Sequence, residues 1–204
     1  MSALDHAVEL LERSLAYTRG TLSAVRPHHL GRPTPCAEWT LAQLLAHMDD
    51  GLDAFTEAAG GYVGVRPTAP VPPGLPGLRE KACALVGAWV EHRDDPDRVL
   101  VGDRSVEATV VVLTGALEMA VHGWDVGRAT GLGGPIPEPL AAGLLPVAAW
   151  AVGPEDRPTR FGVARRAHQD ASSATHLLGH LGRDLTGPPG AFPPATGDVR
   201  GLAS

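Results

Sequence analysis

Apolar residues recur at helical intervals through most of the chain. Leu4, Val8, Leu11, Leu15, Leu22 and Val25 fall near one face of a helix over residues 3–25, with Glu9, Glu12, Arg13 and Arg19 left for solvent. Ser2 can cap its start, and Pro27 and Gly31 end it. A second stripe, Leu41, Leu44, Leu45, Met48, Leu52 and Phe55, predicts a helix from Leu41 to about Ala59, with Thr40 and Gln43 spaced as a capping box. A third helix is predicted from about Leu75 to His92, with Leu78, Ala82, Leu85, Val86, Trp89 and Val90 inward. Residues 32–39 read as a linker. Residues 60–77, rich in Gly and Pro, read as a long loop of the kind that is functional or mobile. Asp94-Asp95-Pro96-Asp97 breaks the third helix, and Val99 to Val101 is a candidate extended stretch.

The most apolar run starts near Val106 and reaches Thr130. It is too hydrophobic for a surface helix, and too short and too broken by polar residues to span a bilayer. Its Val cluster argues for a strand; its length argues for a buried helix of a bundle, which is the reading adopted. Gly131-Leu132-Gly133-Gly134-Pro135 closes it and lacks the Lys-Ser/Thr of a phosphate-binding loop. A shorter helix is expected from about Glu138 to Ala151. The last fifty residues change character: Arg160 to Ala164 is a candidate strand, Ala171 to Leu181 a helix, and Pro188 to Pro194 a disordered tail. The expected architecture is an all-α bundle over 1–152 with a short extension over 153–204.

Composition adds exclusions. A formal charge of -6 without a basic block argues against nucleic acid as a main partner. No segment reads as a transmembrane span, and Met1 leads into an amphipathic helix rather than a signal peptide, so a cytoplasmic location is expected. There Cys36 and Cys83 would both be reduced.

The chemistry concentrates in Glu118-Met119-Ala120-Val121-His122-Gly123-Trp124-Asp125. Glu118 and His122 are four apart and share one helical face, a spacing more usual for a structural Glu–His pair but also that of half a metal site. His47 lies beside Leu44 and Met48 and can point inward, as a ligand or as a satisfied core histidine; Asp50 could orient its imidazole. His176 and His180 repeat the four-residue spacing near His168, but Asp184 is the one carboxylate close by, and the spacing there reads as incidental.

Three features occur together: Thr34-Pro35-Cys36-Ala37-Glu38-Trp39-Thr40 before the helix bearing His47, Glu118-x-x-x-His122-Gly123-Trp124-Asp125, and Arg128-Ala129-Thr130-Gly131. Together they resemble the DinB/YfiT-like superfamily, in particular its actinobacterial branch related to the mycothiol-dependent maleylpyruvate isomerase N-terminal domain. The resemblance covers residues 1 to about 152, and Phe161-Gly162 with Leu181-Gly182-Arg183-Asp184 is similar to the branch's C-terminal extension. It implies a four-helix bundle holding a divalent metal, with His47, Glu118 and His122 as ligands. Two His and one carboxylate leave positions open for water or substrate, a catalytic arrangement. Zinc is the expected ion, with nickel, iron and manganese as alternatives that affinity order does not separate.

The resemblance further implies mycothiol or a similar thiol as cosubstrate, and a thiol transferase or thiol-assisted isomerase acting on a small electrophile. Asp50 and Asp125 are then candidate orienting or acid–base groups. Arg128 is a candidate partner for a substrate carboxylate, or a surface residue favourable to the helix dipole. The alternatives are a thiol-independent metal hydrolase, isomerase or cyclase, and a non-catalytic metal- or small-molecule-binding bundle. Cys36 is expected to pack the linker rather than react. The superfamily implies a homodimer, though no seam is visible in the sequence.

Overall fold

The computed structural model describes residues 2–36, 39–64, 75–91, 97–157 and 160–185. Its helices are α1 (Ala3–Leu22), α2 (Leu41–Ala59), α3 (Leu75–Glu91), α4 (Ala108–Thr130), α5 (Glu138–Ala151) and α6 (Ser173–His180). Ser2 and Asp5 form a capping box on α1, as do Thr40 and Gln43 on α2. These reciprocal bonds satisfy amide groups that the first helical turn leaves unpaired.

α4 is buried nearly all round, which accounts for its lack of a polar face. It packs most closely on α1, where small residues let the backbones approach. A Cβ at Gly123 would lie 2.4 Å from the Thr18 Oγ1 and 3.1 Å from its Cα. The Thr18 hydroxyl donates to the Met119 carbonyl at 2.6 Å, one turn back along α4. α3 is fastened to α2 by Lys81, which bridges Asp49 and Asp53, and by Trp89 Nε1, which donates to the Phe55 carbonyl at 3.0 Å.

A small sheet precedes α4. β1 (Tyr62–Val63) pairs in parallel with β2 (Arg98–Val101), and β2 pairs antiparallel with β3 (Arg104–Glu107), register Val99 to Val106. The β2–β3 turn is Gly102-Asp103, with Gly102 at φ +61°, a backbone that glycine adopts readily. β1 follows the end of α2 and β3 runs straight into α4. The sheet therefore sits at the bundle end remote from His47 and His122.

Two expectations are corrected. Val106, assigned to the central helix, lies in β3. Residues 160–164 do not form a strand. This segment instead lies on the end of α6, where the Arg165 amide donates to the Gly179 carbonyl at 2.8 Å and Gly162 packs on Gly182. The Arg160 and Phe161 amides both donate to the Asp156 carbonyl, a local turn rather than a ladder. The expected tail at 188–194 and most of the 60–77 loop lie outside the described residues.

The α1–α4 contact generates a prediction. Gly123→Ala is expected to destabilise the protein by about 1–3 kcal/mol through overpacking against Thr18. Gly20→Ala, on an exposed turn of α1 with nothing near its Cβ position, is expected to stabilise by about 0.5–1 kcal/mol. Urea denaturation of the two variants checks both signs, and equal effects would remove the close-approach explanation.

Candidate metal centre and cavity

The sequence puts His47 on the cavity side of α2 and Glu118 with His122 one turn apart on α4. The helices bring the three together. His122 Nε2 lies 3.0 Å from Glu118 Oε2, and His47 Nε2 lies 3.9 Å from the same oxygen. The two imidazoles meet edge to face at 5.1 Å. His122 is buried, Glu118 half-buried, and His47, with 44% of its side chain exposed, forms the mouth.

Beneath them is a buried ion pair. Asp125 has no exposed surface. Its Oδ2 lies 3.1 Å from His122 Nδ1. Both its oxygens also accept from Arg183, Nε to Oδ1 at 3.0 Å and Nη2 to Oδ2 at 2.8 Å. This fork-to-fork geometry is the strong form of an arginine–carboxylate pair. Asp125 thereby fixes the ring of His122, with Nδ1 turned to the carboxylate and Nε2 toward the cavity.

Charge follows geometry. Burial works against ionised Glu118, but the hydrogen bond from His122 and the His47 ring 3.9 Å away outweigh it and hold the carboxyl well below its usual range. Burial alone would depress His122; hydrogen bonding to Asp125 and Glu118 instead lifts it to about 9. Asp125, opposed by burial, is held low first by the charge of Arg183 and then by His122. Burial pushes the Cys36 thiol up to about 11.

The cavity encloses about 540 Å³. Just before α2, where the Thr34 amide donates to the Trp39 carbonyl, Cys36 and Trp39 join its wall. Trp39 lies 4.7 Å from the His47 ring. The C-terminal extension supplies Arg160, Phe161, Leu181 and Arg183.

The donor set suits a divalent ion. One atom from each of His47, Glu118 and His122 lies within 4.8 Å of the others, close enough to converge on one ion with N and O bonds of about 2.0–2.2 Å. Cys36, His122 and Asp125 also cluster within that distance. In that group, though, both Asp125 oxygens and His122 Nδ1 are already committed, and the thiol is protonated.

The remaining expected site residues lie elsewhere. Asp50 is exposed and off the cavity wall. Arg128 carries its guanidinium 5.5 Å from the centre of the Trp124 ring and also does not line the cavity. His180 Nε2 lies 3.1 Å from the Ala148 carbonyl, and His168 sits beside Asp170 at the surface. Among the described residues, neither of them nor His176 joins a group that could share an ion. Arg183 was missed as a site residue. Its signal was confined to the Leu181-Gly182-Arg183-Asp184 resemblance, because nothing local couples it to a carboxylate 58 positions away.

Comparison with known proteins agrees with this architecture. The crystal structure of the mycothiol-dependent maleylpyruvate isomerase superposes with a TM-score of 0.59 at 21% identity, covering 94% of this chain and 95% of that one. A mutant of that isomerase gives 0.53 at 20% identity, covering 86% and 87%. Two uncharacterized proteins of Mycobacterium tuberculosis, from strains CDC 1551 / Oshkosh and ATCC 25618 / H37Rv, are each 29% identical over 80% of this chain and 90% of their own. No helix among the described residues is long and apolar enough to cross a membrane. The profile of the mycothiol maleylpyruvate isomerase N-terminal domain matches residues 11–127, and the chain belongs to that family.

Proposed function

We propose that this protein is a metal-dependent enzyme that uses mycothiol or a similar thiol on a small electrophile, as an S-transferase or a thiol-assisted isomerase. The observation that carries the reading is the convergence of His47, Glu118 and His122 on one cavity. A divalent ion held by these three, zinc by preference, supplies a positive centre that lowers the pKa of a coordinated thiol and so provides thiolate at neutral pH.

The chain's own residues set up that chemistry. Glu118 stays ionised. Asp125 accepts the Nδ1 proton of His122, so that Nε2 is the nitrogen that presents a lone pair once the ring is neutral. Arg183 neutralises Asp125 and keeps a second carboxylate from disturbing the site. Trp39, Leu117, Val121 and Phe161 exclude water from the wall. Cys36, protonated, does not compete with the bound thiol for the electrophile.

Elemental analysis tests the ligands. Wild type is expected to carry about one ion per chain, and His47→Ala and His122→Ala to lose it, each removing one of three protein ligands. Cys36→Ser is expected to retain it. Asp125→Asn should weaken binding about 10–100-fold by loosening His122. Wild type unable to take up an ion would overturn the assignment. Thiol consumption with electrophiles tests the reaction, and bound metal with hydrolysis but no thiol consumption would favour the water-activating alternative.

The pH dependence has a definite sign. Without metal, His122 keeps its proton up to about pH 9, because its folded value lies above the ordinary one of 6.5. Its contribution to stability is therefore complete below 6.5 and is lost as pH rises through 9. Metal needs the neutral ring, so binding expels that proton. Apparent affinity is expected to rise about tenfold per pH unit toward 9 and then level. Chelator competition at several pH values reads the slope; a flat profile would remove His122 as a ligand.

A further inference from the structure

The cavity continues past His47, Glu118 and His122. α2 and α4 run antiparallel along it: His47 faces His122 at one end, and Phe55 rests on Gly115 at the other. Eight residues on α2 separate His47 from Phe55, about 12 Å at 1.5 Å per residue. Over that length the walls are Gly51, Ala54 and Phe55 from α2 and Thr114 and Leu117 from α4, none of them charged. The Thr114 hydroxyl donates to the Val110 carbonyl at 2.8 Å, which leaves only its lone pairs for the cavity.

Two glycines shape this arm. A Cβ at Gly115 would come within 3.2 Å of the Phe55 ring carbons, so the glycine lets the ring lie back against α4. A Cβ at Gly51 would make only ordinary contacts, 3.6 Å from Met119 Cε and 3.9 Å from Phe55 Cε2. The two arginines lining the cavity among the described residues each contact a carboxylate, Arg183 on Asp125 and Arg160 on Asp156.

We propose that the α2–α4 arm binds an uncharged hydrocarbon tail, and that the electrophile is an α,β-unsaturated carbonyl compound bearing an alkyl or aromatic tail rather than a short dicarboxylate. This rests on the thiol-dependent reading of the site. The polar thiol belongs at the mouth beside exposed His47. The S–C bond forms at the β-carbon, the C=C π bond breaks, and the proton from sulfur ends on the α-carbon, with no oxidant or reductant. Tail length sets selectivity, because each buried methylene is worth about three- to fourfold in affinity.

Calorimetric titration of metal-free protein with 1-alkanols from butanol to nonanol tests the arm without any thiol chemistry. Affinity is expected to climb about three- to fourfold per methylene. Ala54→Leu and, separately, Gly51→Leu should flatten the series by filling the arm. The second measurement is mycothiol consumption with 2-alkenals from butenal to nonenal, where kcat/KM should rise in parallel. A flat alkanol series in wild type would overturn the arm, whether or not a thiol is used. Rising alkanol affinity with neither mycothiol consumption nor mycothiol-dependent isomerisation of the alkenals would support the arm and overturn the thiol-dependent reading. Turnover of a short unsaturated dicarboxylate as fast as nonenal would overturn the substrate class.

Discussion

A carboxylate with no exposed surface lies at the centre of this bundle, and the rest of the site depends on how Asp125 is kept ionised. An unpaired buried charge costs several kcal/mol. Asp125 avoids that penalty by holding the Arg183 fork with both oxygens and His122 Nδ1 with one. The same contacts fix the His122 ring, and His122 in turn holds Glu118 ionised. One buried pair therefore connects the C-terminal extension to the most buried helix and sets the charge of the residues lining the cavity.

That arrangement needs α4 at a fixed depth, and the depth comes from small residues. Gly123 lets α1 lie close at Thr18, and Gly127 lets the Gly133 backbone fold back onto α4, while the Thr18 hydroxyl donates to the Met119 carbonyl. Arg32 donates to the Ala129 and Thr130 carbonyls at the other end of the contact, where the helix dipole favours a cation. Its carbonyl accepts from the Leu41 amide, so one guanidinium ties the start of α2 to the end of α4.

Much of this was legible in the residues. The stripe along α2 and the four-residue spacing of Glu118 and His122 placed three donors on helical faces, and the Ser2 cap and the Thr40–Gln43 capping box marked two helix starts. Asp50 and Arg128 show the limit of that reasoning. Each residue turns the helix by about 100°. The cavity follows the row His47, Gly51, Ala54 and Phe55, and Asp50 falls off it. Arg128 is six positions past His122 and meets Trp124 one turn back instead. The β2–β3 hairpin had a local signal in Gly102-Asp103 between short alternating runs, but Val106 merged with the apolar run that follows. Arg183 had no such signal, since its partner is fixed by tertiary packing alone.

The order of the chain gives Arg183 a further meaning. Ribosomes release the donors His47, Glu118 and His122 long before the extension, so an incomplete chain holds Asp125 with one of its partners missing. The bundle's most buried charge is settled only when residue 183 has been made and docked. A chain interrupted ahead of the extension keeps His47, Glu118 and His122 but carries an internal electrostatic defect at Asp125.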